Sequence, residues 1–171
     1  AQSVSGDQVW ANAGTYVMMT GYVDTDGDGK SDTNFANEDW LISPVIDLTK
    51  EKAANLSFQH VVRYFANVTN EATVWVSTDY VDGLPSTGTW TQLKTSQFVD
   101  YGSWTFIPSG EISLTAFAGK KIKIAFKYVS TASKAGTWEL QNVVVKNSEA
   151  VVVTSNMGSG TEVSPYTVSG G

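Results

Sequence analysis

Apolar and polar residues alternate along most of this chain. Between 121 and 128, Ile122, Ile124, Phe126 and Tyr128 fall on one side and Lys121, Lys123 and Lys127 on the other. Between 56 and 64, Leu56, Phe58, His60, Val62 and Tyr64 oppose Ser57, Gln59 and Arg63. Successive side chains of a strand point to opposite faces, so this period of two predicts half-buried antiparallel strands with the apolar set inward. The same texture, punctuated by Gly, Pro, Asn and Ser, predicts strands at 6–12, 16–22, 39–48, 55–65, 71–80, 90–94, 103–114, 121–130 and 137–147. Leu48 to Asn55 has room for a single helical turn and 113–119 for another, and no long amphipathic helix competes. The expected fold is therefore all-β, a jelly-roll-like antiparallel β-sandwich spanning 1–147. From 148 to 171 the chain turns to Ser, Gly and Thr, which predicts a linker or the start of a following domain, with one further short strand at 150–154. The opening AQSVSGDQVW reads as that of a mature or excised fragment.

Composition narrows the function. At 171 residues with 42% hydrophobic and 12% aromatic content, the chain can bury a sizeable single core. The net charge of −6 comes with no basic cluster beyond Lys120, Lys121 and Lys123, so nucleic acid is not an expected partner. No apolar run is long enough to span a membrane. With zero cysteines there is no disulfide framework, thiolate nucleophile or zinc-thiolate site.

One stretch departs from the alternation. Asp24 to Asp32 reads DTDGDGKSD, with carboxylates at 24, 26, 28 and 32 and glycines at 27 and 29. Carboxylates held this close repel by about 1 kcal/mol per pair at ~4 Å even in bulk water, and a hard cation removes that cost. Calcium takes six to eight oxygen ligands, and alternate carboxylates on a tight loop supply several. The spacing matches positions 1, 3, 5, 6 and 9 of an EF-hand-type loop, with Lys30 at position 7 contributing its backbone carbonyl. Position 12 is Phe35 where a bidentate Glu belongs, and the flanks are strand ends rather than helices. The loop thus resembles the calcium loops of thrombospondin type-3 repeats or dockerins more than a sensor. The expected ligands are Asp24, Asp26, Asp28, Lys30 and Asp32, with Glu38 or Asp39, or water, completing the sphere. The competing expectation is a solvated turn, since Asp and Gly are ordinary turn residues. Bound Ca2+ would be structural, and such a site fills most readily outside the cell.

Several segments together carry a family resemblance. NEDWLISPVIDL (Asn37 to Leu48), NLSFQH (Asn55 to His60), VWVSTDY (Val74 to Tyr80), AGKKIKIAFKYVS (Ala118 to Ser130) and GTWELQNVVVK (Gly136 to Lys146) resemble the choice-of-anchor J domains, which are related to the cleaved-adhesin domains of bacterial surface proteases. The resemblance covers about 5–147 and implies a jelly-roll sandwich in secreted or lipid-anchored surface proteins of Gram-negative bacteria. It further implies a non-catalytic module accompanying neighbouring domains of one polypeptide. DTDGDGKSD is an insertion relative to that pattern, so calcium rests on the loop itself.

Enzymatic chemistry finds little support. His60 is the only histidine and lies on an apolar strand face, as a satisfied core histidine would. No G-x-S-x-G elbow occurs. Glu38, Asp39 and Glu139 are available as a carboxylate pair for glycoside hydrolysis, but each sits within a resemblance segment and is expected to be structural. Trp10, Trp40 and Trp138 fall at apolar-facing positions and are expected in the core. Trp90, Tyr101 and Trp104 lie near Gly- and Ser-rich turns, where an exposed ring can stack on a sugar. The sequence therefore predicts an extracellular or cell-surface binding module, calcium-stabilised, with glycan or a host or cell-surface protein as partner. A spacer that presents a neighbouring domain is the alternative, and a hydrolase comes third.

Overall fold

The alternating runs predicted at 55–65, 121–130 and 137–147 become the three longest strands. The computed structural model describes residues 1–148. Its elements in chain order are β1 (Gln2–Ser5), β2 (Ala11–Asn12), β3 (Val17–Thr20), β4 (Tyr22–Val23), β5 (Thr33–Asn34), β6 (Asn37–Ile42), β7 (Ile46–Asp47), β8 (Ala54–Arg63), α1 (Val68–Glu71), β9 (Ala72–Ser77), β10 (Thr91–Gln92), β11 (Ile107–Pro108), β12 (Ile112–Ser113), β13 (Lys121–Ser130) and β14 (Thr137–Asn147). One sheet runs β1-β6-β13-β9-β10, with β7 also on β13. The other runs β11-β8-β14-β3-β2, with β12 also on β8. Every pairing is antiparallel, and β4 with β5 forms a separate ribbon. This is the expected all-β sandwich. The expected linker and the strand at 150–154 lie outside the described residues.

The inward faces follow the alternation. Ile122, Ile124, Phe126 and Tyr128 of β13 meet Leu56, Phe58, His60 and Val62 of β8 and Trp138 and Leu140 of β14. Phe126 bridges the layers, with its ring 5.1 Å from Phe58 and 5.8 Å from Trp138 in edge-on geometries. Such pairs add roughly 0.5–1.5 kcal/mol each beyond the area they bury. The buried Tyr128 hydroxyl donates to Gly136 O at 2.6 Å and accepts from Gly21 N at 2.9 Å, which ties the end of β3 to the start of β14.

Several elements differ from the sequence expectation, each for a local reason. The run 39–48 splits at Pro44, which lacks an N–H for the ladder. Ser43 fills the gap, its Oγ accepting from Ile124 N at 2.9 Å. The run 103–114 yields only the short strands β11 and β12. Residues 48–55 hold one hydrogen-bonded turn, Glu51 N to Leu48 O at 3.0 Å, before β8 begins at Ala54. The turn expected at 113–119 is a 3-10 turn over Thr115–Phe117. β1 and α1 carried no periodic signal: QSVS is a polar edge strand, and VTNE is one turn long. Tyr64 leaves the inward set altogether, because its backbone turns left-handed (φ 64°) at the end of β8 and its ring emerges into solvent.

Candidate functional site

The acidic loop spans the ribbon of β4 and β5, closed by Asp32 N donating to Val23 O at 2.9 Å. Asp24 organises it from one end: its two carboxylate oxygens accept from Gly27 N at 2.7 Å and Gly29 N at 2.8 Å. Both glycines are left-handed, with φ of 79° and 86°, and an added Cβ would meet no neighbour at either. Their requirement is conformational rather than steric. Asp26 then accepts from Asp28 N at 3.1 Å and Asp28 from Lys30 N at 2.8 Å, two successive side-chain-closed turns. The result is that Asp24, Asp26 and Asp28 converge, one carboxylate oxygen from each lying within 4.8 Å of the others.

That separation suits calcium. Two oxygens on one ion at ~2.3–2.6 Å lie at most about 5 Å apart. The other expected ligands are placed differently. Asp32 is held by hydroxyls, accepting from Thr25 Oγ1 at 2.8 Å and Thr33 Oγ1 at 2.6 Å, which keep its carboxyl below the usual range. Glu38 sits on the outer face of the β6 sheet, where it accepts from Trp40 Nε1 at 2.9 Å and pairs with Lys127 Nζ at 3.2 Å. Asp39 points inward, and its Oδ2 accepts from Trp10 N at 3.0 Å while desolvation raises its pKa. Lys30 has its backbone within the loop, and Phe35 O accepts from Ser130 Oγ at 2.8 Å. The loop thus brings together three carboxylates and directs the remaining acidic side chains elsewhere.

The candidate aromatics divide between the two outer faces. Trp40 is only 6% exposed, yet it is not part of the inter-sheet core. It pairs in register with Lys127 on the outward side of β6, with Trp75 at 5.9 Å and Trp90 at 5.3 Å; Tyr80 lies 5.1 Å beyond Trp90. All three indole N–H groups of this cluster are spent internally, Trp40 on Glu38, Trp75 on Thr73 Oγ1 and Trp90 on Pro85 O. Trp90 is consequently a packed residue rather than a free platform. Trp10 and Trp138 lie in the core as expected, 5.6 Å apart.

Trp104 and Tyr101 are exposed, at 50% and 67%. Trp104 faces Tyr64, 48% exposed, across 6.2 Å, and the Arg63 guanidinium lies 4.3 Å from the Tyr64 ring and 5.2 Å from the Trp104 ring. Asp100 anchors the group. It accepts from Tyr64 N at 2.9 Å and Gly102 N at 2.8 Å, and lies 2.9 Å from Arg63 Nε, a charge contact whose N–H is not aligned for a hydrogen bond. Those contacts lower the Asp100 pKa against the opposing pull of its partial burial. Sequence reasoning named Trp104 and Tyr101 but missed Arg63, Tyr64 and Asp100. Only a break in alternation at Tyr64 would have exposed them, and that break lies in the backbone, not in residue type.

Among the described residues, His60, Glu38 and Glu139 do not come together as a catalytic pair. His60 is buried between Phe58 and Phe98, and burial pulls its pKa down to about 4. Its Nδ1 has no partner among the described residues, so it is a core histidine but not a satisfied one. Glu38 and Glu139 occupy opposite outer faces of the sandwich and cannot flank one bond.

No family model matches the chain, and no curated protein does. Among solved structures, the chain is similar to the K1 cleaved adhesin domain of Lys-gingipain from Porphyromonas gingivalis W83. The two are 18% identical over 86% of this chain and 89% of that one, with a TM-score of 0.50. At that identity the likeness is one of fold.

Proposed function

We propose that this chain is a non-catalytic adhesion or binding module of a bacterial surface protein, working outside a Gram-negative cell, with its 24–32 loop stabilised by calcium. The convergence of Asp24, Asp26 and Asp28 carries the calcium reading, because three carboxylates gathered within 4.8 Å favour a divalent cation electrostatically. Lys30 O and water supply further oxygens to that ion. Fold likeness to a domain described as a cleaved adhesin supports the adhesive role, an argument by analogy. The exposed rings of Tyr101 and Trp104 favour carbohydrate as the ligand class over a bare spacer.

The calcium reading is tested by thermal melting of the 171-residue chain with excess calcium and with chelator. Extracellular calcium modules bind at ~10⁻⁴–10⁻³ M, so about 10 mM calcium stabilises by roughly 1.5–3 kcal/mol, a shift of several degrees. Asp26→Ala with Asp28→Ala should abolish the shift. Identical melting of the wild type in both buffers, with no heat of calcium binding by titration calorimetry, would leave the loop a solvated turn.

A further inference from the structure

The outer face of the β8 sheet holds a carboxylate with no partner among the described residues. Glu139 of β14 is 6% exposed, its carboxylate makes no hydrogen bond or ion pair with a described residue, and burial alone raises its pKa. In register it lies between Val61 of β8 and Met18 of β3, two apolar neighbours that give it no donor. One step along the same face, Thr137 pairs with Arg63, so Arg63 is the diagonal neighbour of Glu139. Apart from its charge contact with Asp100, the Arg63 side chain makes no hydrogen bond with a described residue, although it lies against the rings of Tyr64 and Trp104.

Tyr64 is held there against its own preference. A left-handed Tyr backbone costs about 1–3 kcal/mol and persists only where the surroundings enforce it. The enforcing contact is Asp100 taking the Tyr64 N–H. What the strain achieves is an exposed tyrosine ring beside Trp104 with a cation between them. The surface continues past Thr137 and Thr20, whose hydroxyls meet at 3.1 Å, into a shallow groove of 310 Å³ that reaches Asp24.

We infer that this face is a binding site for a neutral oligosaccharide, stacked on Trp104 and Tyr64, with sugar hydroxyls donating to Glu139 and accepting from Arg63. The inference rests on the binding-module reading and deepens it. Charge decides the ligand type, because one cation faces two carboxylates, Asp100 and Glu139, and so an anionic glycan is repelled. A neutral sugar supplies O–H donors for the carboxylate, oxygen acceptors for the guanidinium and an apolar C–H face for the rings. The Glu139 carboxylate oxygens are not among the buried partnerless atoms and so reach solvent, where sugar hydroxyls can replace water as their donors.

The test is titration calorimetry of the full chain with neutral hexasaccharides of glucose, mannose, galactose and xylose in α and β linkages, alongside hexagalacturonate and a heparin hexasaccharide. At least one neutral probe should bind saturably, with affinity falling tenfold or more in Trp104→Ala and in Glu139→Gln and unchanged in Trp75→Phe. Trp104 is half exposed, so its variant should melt as the wild type does and separates lost binding from lost folding. Tighter binding of the acidic probes overturns the inference. Neutral binding that survives Trp104→Ala overturns this site and leaves the carbohydrate reading standing. No binding to any probe overturns both, and leaves the spacer reading.

Discussion

Each sheet of this sandwich carries an aromatic cluster on its outer face, and the two differ in what their polar atoms do. On the β6 sheet, Trp40, Trp75, Trp90 and Tyr80 pack ring to ring, and every indole N–H finds a protein acceptor. On the β8 sheet, Tyr64 and Trp104 stand half exposed around Arg63, with the unpartnered Glu139 close by. The first cluster is closed: its donors are spent, Trp40 is covered, and Lys127 lies 5.2 Å over the Trp40 ring as a lid. The second is open and strained. Residue type does not separate them, since both are Trp and Tyr beside a cation. What separates them is exposure together with internal pairing: one face spends its indole donors on protein acceptors, and the other leaves two rings in solvent and the Glu139 carboxylate without a protein partner.

The largest effect should come from breaking the closed cluster. Trp40→Ala removes the ring on which Trp75 and Trp90 rest and strands Glu38 without its indole donor, and so should cost about 3–5 kcal/mol in urea denaturation. Trp104→Ala, in the open cluster, should cost less than about 1 kcal/mol. Equal losses would mean that Trp104 is as structural as Trp40, and the distinction between the faces would fall.

Next in size is a pH effect seated beneath the open face. His60 lies on the inner side of β8, and burial holds its pKa near 4 against an ordinary 6.5. The unfolded chain therefore binds a proton more readily, and stability gained from keeping His60 neutral is complete above pH 6.5. It is lost as pH falls from 6.5 toward 4, amounting to up to ~3 kcal/mol. Unfolding free energy measured across that range should decline in the wild type and decline much less in His60→Leu. The same slope in both proteins would assign the pH dependence to other groups.

How much of this was legible in the sequence follows from where each cause resides. The inward set Ile122, Ile124, Phe126 and Tyr128 was readable because burial on a strand obeys residue order. The convergence of Asp24, Asp26 and Asp28 was equally readable, since flanking glycines and side-chain-closed turns act within nine residues. Trp40 misled, as an apolar residue in an apolar segment reads as core. Its pairing with Lys127 puts it on the outward side, and only register reveals that. Arg63 and Tyr64 were invisible as a site because Asp100, thirty-six residues from Tyr64, creates the local geometry. Loop spacing points to Asp32 as a ligand and proximity in sequence to Glu38, whereas Thr25, Thr33 and Lys127 compete for their carboxylates.

The finest discrimination between the faces comes from Glu139→Gln. Desolvation raises the Glu139 pKa, so the folded state prefers it protonated. Its contribution is fully present below the unfolded pKa of about 4.5 and is lost as pH rises through the higher folded value, the opposite sense to His60. An amide of the same shape carries no charge to desolvate, so Glu139→Gln should raise the melting temperature slightly at pH 7. That gain should vanish near pH 4, where the carboxyl is neutral in both states. A residue that weakens the fold at neutral pH without an internal partner is what a binding site retains for its ligand. If Glu139→Gln destabilises at pH 7, the carboxylate has a structural role in the free protein, and the β8 face is as closed as the β6 face.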